Sequence, residues 1–102
     1  MNITRLHVDQ MQEFCKQYRV RSLAAFGSVL RDDFNSQSDI DFLVDFEEND
    51  PFVYANLYFQ FKKKLEALFN RRIDLVEKRA IKNSYFKKEL EETKKVIYGQ
   101  SI

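Results

Sequence analysis

The chain has 102 residues, 44% of them hydrophobic and 32% charged, with a formal net charge of +1. A chain of this length buries roughly 65% of the surface that its unfolded form exposes, which suffices for one core and not for two, so residues 1–102 are expected to form a single domain. No apolar run has the length of a membrane span or the layout of a secretory signal, which predicts a cytoplasmic protein with no membrane association; one cysteine and one histidine exclude an intramolecular disulfide and a zinc cluster.

The apolar pattern predicts a first helix over 6–18, with Cys15 beside Val8, Met11, Phe14 and Tyr18 as a buried thiol and His7 at the surface. A strand over 21–26 follows, then Gly27-Ser28 and a short helical run over 29–32. Glycine lets the backbone turn sharply and approach a ligand, and the amides that open a helix lack intrahelical partners. Ser28 is either an ordinary helix cap or a hydroxyl placed at an anion site.

After a polar loop over 35–38, the stretch Ser38-Asp39-Ile40-Asp41-Phe42-Leu43-Val44-Asp45-Phe46 alternates apolar and acidic residues. A period of two puts Asp39 and Asp41 on one face of a strand, roughly 7 Å apart at the backbone, with Ile40, Phe42, Val44 and Phe46 facing the core. Aspartate is depleted in strands, and such a conflict with local propensity marks functional sites.

Asp50 and Pro51 read as N-cap and first residue of a helix reaching about Phe69, with Leu57, Phe61, Leu65 and Leu68 as its core stripe and Val53, Tyr54 and Tyr58 beside them. A strand over 72–77 carries Asp74, which is either a third carboxylate of the site or the partner of Arg71 or Arg72. Asn83 or Ser84 caps a helix over 85–93, and Val96-Ile97-Tyr98 forms a last edge strand. The fold class predicted is α+β, a mixed sheet covered by helices. Charge is divided unevenly: residues 1–61 hold five Lys/Arg and ten Asp/Glu, residues 62–102 hold twelve and six. The basic half is a set of solvated helix faces or a docking surface for an acidic partner, triphosphate or RNA.

Gly-Ser, ten residues, then Asp-x-Asp is the spacing of a metal-dependent nucleotidyl-transfer site, with two carboxylates converging on one or two cations. Gly27-Ser28, Arg31, Ser38-Asp39-Ile40-Asp41 and the Ile73-Asp74-Leu75-Val76 strand together resemble the nucleotidyltransferase superfamily that shares the polymerase-beta palm. The resemblance is closest to its minimal nucleotidyltransferase (MNT) family, usually encoded beside a HEPN-domain ribonuclease toxin. It implies a palm-like domain, ATP as substrate and two magnesium ions. Asp39, Asp41 and Asp74 would be metal ligands and catalytic residues, and Gly27, Ser28 and Arg31 would bind the nucleotide. It further implies an antitoxin that transfers AMP to a tyrosine hydroxyl of the HEPN toxin. Two other readings are a non-catalytic antitoxin that blocks the toxin by binding, and a nucleotidyltransferase for a small molecule such as an aminoglycoside. Without a second domain to grip a template, a protein acceptor is expected rather than a nucleic acid. The family commonly has glycine after the arginine, where this chain has Asp32-Asp33, which brings extra negative charge near the phosphates.

Overall fold

The computed structural model describes residues 7–31, 34, 35 and 37–99. Its elements are α1 (Val8–Gln17), β1 (Val20–Phe26), β2 (Ile40–Phe46), α2 (Pro51–Phe69), β3 (Ile73–Glu77), α3 (Ser84–Thr93) and β4 (Lys95–Tyr98), with single 3-10 turns at Gly27–Leu30 and Lys78–Ala80. The α+β class and the mixed sheet are as the sequence predicts.

Local chemistry sets where the helices begin and end. The Asp50 carboxylate accepts from the backbone N–H of Phe52 at 2.9 Å and of Val53 at 3.3 Å, and Pro51 occupies the first turn where no N–H is needed. Asn70 closes α2 in the left-handed conformation, φ 51°. Asn83 opens α3 as Asp50 opens α2, accepting from Tyr85 and Phe86 at 2.9 and 3.1 Å.

The sheet order is β3-β2-β1-β4, with β2 antiparallel to β1 and parallel to β3. Parallel neighbours need a crossover, and α2 supplies it. This topology brings the beginnings of β2 and β3 to the same end of the sheet as the finish of β1. The register pairs Phe26 with Asp41 and Asp41 with Asp74.

One face of the sheet is the core. Leu23, Phe42, Val44 and Ile73 are buried there against Met11 and Cys15 of α1 and Phe61 and Leu65 of α2. Truncating a ring as buried as Phe42 costs about 3–5 kcal/mol. The α2 stripe is rotated from the expected one: Tyr54, Phe61, Leu65 and Phe69 are buried, Leu57 and Leu68 are shoulders, and Val53 is 40% exposed. The stripe follows the direction in which α2 crosses the sheet, which places Phe69 rather than Leu68 over Phe42, at 6.0 Å between ring centroids. His7, expected at the surface, is half-buried edge-on to Phe69 at 5.2 Å. Each outer strand has a carbonyl occupied by a side chain: Tyr58 Oη donates to Leu75 O at 2.6 Å and Gln12 Nε2 to Ile97 O at 3.1 Å. Such contacts blunt the open edges against pairing with another chain. On the other face, α3 crosses the end of β1, where Phe86 meets Phe26 at 6.2 Å.

Candidate active site

Gly27 follows the last residue of β1 and takes φ +72°, a conformation that L side chains rarely adopt. It is glycine for a second reason as well. A Cβ at this position would stand 2.5 Å from Asp41 Oδ2, so the turn lies directly against the carboxylate of the neighbouring strand. Ser28 ties the turn to the acidic stretch through its hydroxyl, which donates to Asp39 O at 3.2 Å, while its backbone N–H favours the ionised Asp41 carboxylate.

Strand β2 starts at Ile40, so Asp39 stands exposed at its entrance rather than inside it, and Asp41 is the first acidic residue within the ladder. Asp74 lies opposite Asp41 in the parallel register, with its carboxyl in hydrogen-bonding reach of the Asp41 carboxyl. Asp41 is consequently held above the usual carboxylate range. Burial is the main cause, the Asp74 charge adds to it, the Ser28 N–H opposes it, and Asp39 adds further repulsion.

Among the described residues, no ion pair involves Asp39, Asp41 or Asp74. Asp74 is therefore not the arginine partner that its neighbours allow. Arg71 instead donates to Asn35 O and Ser38 O at 3.1 and 3.0 Å and stacks over Phe34 at 4.8 Å, pinning the loop that leads into Asp39. No group of three or more His, Cys, Asp or Glu side chains is already gathered as a metal cage among the described residues. What they form is a close pair, Asp41 with Asp74, and Asp39 one step away. Mutually repelling carboxylates with no cation of their own suit a divalent ion with oxygen ligands.

Of the three acids, Asp41 lines a cleft of about 500 Å³, within the ordinary range of small-ligand sites, and Asp74 and Asp39 flank it through Asp41. Gly27, Leu30, Arg31 and Asp41 line one side, so Arg31 shares the cleft with Asp41, although it is exposed and has no ion pair among the described residues. Asp32 and Asp33, the departure from the usual glycine, lie outside the described residues. The other side is α3. Phe86, Glu89, Leu90 and Thr93 face the cleft together, a spacing of i, i+3, i+4 and i+7 that reads as one helical stripe. Sequence reasoning overlooked this wall. The stripe was visible as a periodicity, but only the crossing of α3 over Phe26 turns it toward the acids. Cys15 plays no part, since burial pushes its thiol up to about 12.

A model of the nucleotidyltransferase domain matches residues 8–97. The chain belongs to the nucleotidyltransferase domain family. Within this family, it is 40% identical over 91 residues to a Methanocaldococcus jannaschii protein named provisionally as a protein adenylyltransferase, covering 89% of this chain and 87% of that one. It is 36% identical over 87 residues to the protein adenylyltransferase MntA of Thermococcus cleftensis, covering 85% and 82%. A solved structure of a tri-AMPylated Shewanella oneidensis HEPN toxin in complex with an MNT antitoxin superposes with a TM-score of 0.65 at 17% identity, over 95% of this chain and 73% of that one. At that identity the likeness is one of fold. In this chain the Gly27 turn, Asp41 and the α3 stripe line one cleft, with Asp74 beside Asp41 in the next strand.

Proposed function

We propose that this nucleotidyltransferase is a magnesium-dependent protein adenylyltransferase that moves AMP from ATP to a tyrosine hydroxyl of a cognate HEPN ribonuclease and so acts as its antitoxin. The observation that carries the reading is the facing pair Asp41 and Asp74, without an ion-pair partner among the described residues, with Asp41 lining a cleft bounded by the Gly27 turn. The names of the two archaeal relatives and the AMPylated toxin in the fold neighbour support the choice of adenylyl group and acceptor.

Magnesium held by Asp39, Asp41 and Asp74 would neutralise the phosphates and stabilise charge developing on the leaving pyrophosphate. The chain's own groups do the rest. The Gly27-Ser28 turn and Arg31 hold the β and γ phosphates and direct the α-phosphorus toward β3. Asp74, exposed beside Asp41 on the neighbouring strand, accepts the proton of the incoming hydroxyl. The hydroxyl oxygen then forms its bond to the α-phosphorus as the bond to the pyrophosphate oxygen breaks in line opposite, so no covalent enzyme intermediate is needed. Among the described residues, no helix is long and apolar enough to cross a membrane, in keeping with a cytoplasmic site of action.

Intact-mass spectrometry of the HEPN partner after incubation with ATP and magnesium tests the proposal. One adenylyl unit is expected per modified hydroxyl with the unaltered chain, and none with Asp74→Asn, which should still form the complex. An unmodified partner, inhibited only while the two proteins remain bound, would reject the enzyme in favour of a stoichiometric blocker.

A further inference from the structure

We infer that the α3 wall selects the base of the nucleotide, with Phe86 stacking on a purine and the Glu89 carboxylate accepting a hydrogen bond from its exocyclic amino group. The inference rests on the nucleotide reading above and goes beyond it, from phosphate and metal chemistry to how the base is held.

The two sides of the cleft are chemically unlike. Backbone, Arg31 and Asp41 make the side suited to phosphates, whereas Phe26, Phe86 and Leu90 make an apolar opposite side on which Glu89 is the one charged group. Phe86 is 38% exposed, an aromatic surface left in contact with water. Phe26 meets it at an interplanar angle of 73°, which fixes the ring without covering it. A flat base stacked there shields apolar surface that the fold leaves open.

Hydrogen-bond polarity then decides which edge of the base faces the wall. Thr93, the other polar residue of the stripe, donates its hydroxyl to Glu89 O at 2.7 Å, so its one proton is spent within the helix. The Glu89 side chain has no ion-pair partner among the described residues. An ionised carboxylate only accepts. The α3 wall therefore offers the base an acceptor and no side-chain donor. The exocyclic amino group of adenine satisfies it, whereas a purine with only hydrogen at position 6 leaves the carboxylate without a donor from the ring edge.

Titration calorimetry of the full chain with magnesium and three probes tests this: ATP, purine riboside triphosphate, which lacks the amino group, and inorganic tripolyphosphate. The unaltered chain should prefer ATP to purine riboside triphosphate by roughly ten-fold or more, the worth of a hydrogen bond to a charged group. Glu89→Ala, a change at an exposed position, should bring that ratio toward one while leaving tripolyphosphate affinity unchanged. Phe86→Leu should weaken both nucleotides alike by roughly ten-fold, tripolyphosphate again excepted, and Phe86→Tyr should restore them. A ratio unaltered by Glu89→Ala, or tripolyphosphate weakened as much as ATP by Phe86→Leu, would overturn the inference alone. Failure of the unaltered chain to bind tripolyphosphate or any nucleotide would remove the nucleotide reading, and the inference with it.

Discussion

Strand β2 carries two aspartates on one face, and the fold treats them oppositely. Asp45 is neutralised twice, by Arg21 at 3.2 Å and Arg79 at 3.1 Å. Arg79 in turn donates to Phe46 O and Glu48 O and lies 4.3 Å over the Tyr54 ring. Asp41 has no such cation among the described residues and faces Asp74 instead. Supply is not the reason, because the chain has 17 Lys and Arg. On the proposed function, the carboxylate that serves the fold is reached by arginine, and the one that serves chemistry leaves the positive charge for a ligand to bring. Asp41 is the costly acid, held above the usual carboxylate range.

The contrast breaks most sharply in catalysis. Asp39→Asn and Asp41→Asn should each lower adenylyl transfer on the order of 10³-fold, because each removes a ligand of charge stabilisation worth several kcal/mol. Asp45→Asn should retain transfer in its folded fraction. Transfer rates of the three purified variants, with circular dichroism as the check on folding, decide it, and equal losses at 41 and 45 would refute the division of labour.

Next in size is the turn. Gly27→Ala should cost nearly as much as Gly27→Val, because the Cβ itself is what meets Asp41 Oδ2 at 2.5 Å, and the φ of +72° adds about 1–2 kcal/mol of strain for any side chain. Both variants should lose magnesium-ATP binding in a calorimetric titration. A tolerated alanine beside a damaging valine would mean that bulk, rather than the approach of the turn to the acid, is what matters there.

Stability should separate the two aspartates in sign. A carboxyl raised above its unfolded value costs the folded state free energy above its folded pKa, and the cost disappears as pH falls through that pKa. At neutral pH without divalent cations, Asp41→Asn removes the cost and should raise Tm. Asp45→Asn instead breaks two ion pairs and should lower stability by about 1 kcal/mol, a modest figure because both arginines are largely solvated. Differential scanning fluorimetry in chelator reads both, at about 4–8 °C per kcal/mol for a domain of this size. Shifts of the same sign would deny that the fold strains the one acid and satisfies the other.

The sequence made the elements and the acids legible because they obey local rules. Asp50-Pro51 caps a helix wherever it occurs, and the alternation through Phe46 states which face of β2 is buried. It was silent about partners. Arg71 and Asp74 are three residues apart and of opposite charge, yet Arg71 turns to the carbonyls of Asn35 and Ser38 while Asp74 turns to Asp41. Both outcomes depend on β3 lying parallel beside β2, a long-range pairing that no window of sequence contains. The α3 wall escaped notice for the same reason: Phe86 and Glu89 become cleft residues only after α3 crosses the end of β1.

The smallest effect concerns Ser28, whose two contacts are separable by mutation. Its N–H, which favours the ionised Asp41 carboxylate, belongs to the backbone and survives Ser28→Ala; its hydroxyl bond to Asp39 O does not. The loss should therefore be that of one ordinary hydrogen bond, about 1 kcal/mol. It should appear as a roughly five-fold rise in the Kd for magnesium-ATP, with the transfer rate at saturating ATP little changed, because Asp41 keeps its place. Threonine, which retains the hydroxyl, should recover most of the affinity. Steady-state kinetics distinguishes the cases: a raised KM with an unaltered kcat fits a tie that holds the turn against Asp39. A fall in kcat approaching that of Asp41→Asn would mean that the hydroxyl takes part in the transition state itself, and the comparison between backbone and side-chain contacts at this serine would have to be redrawn.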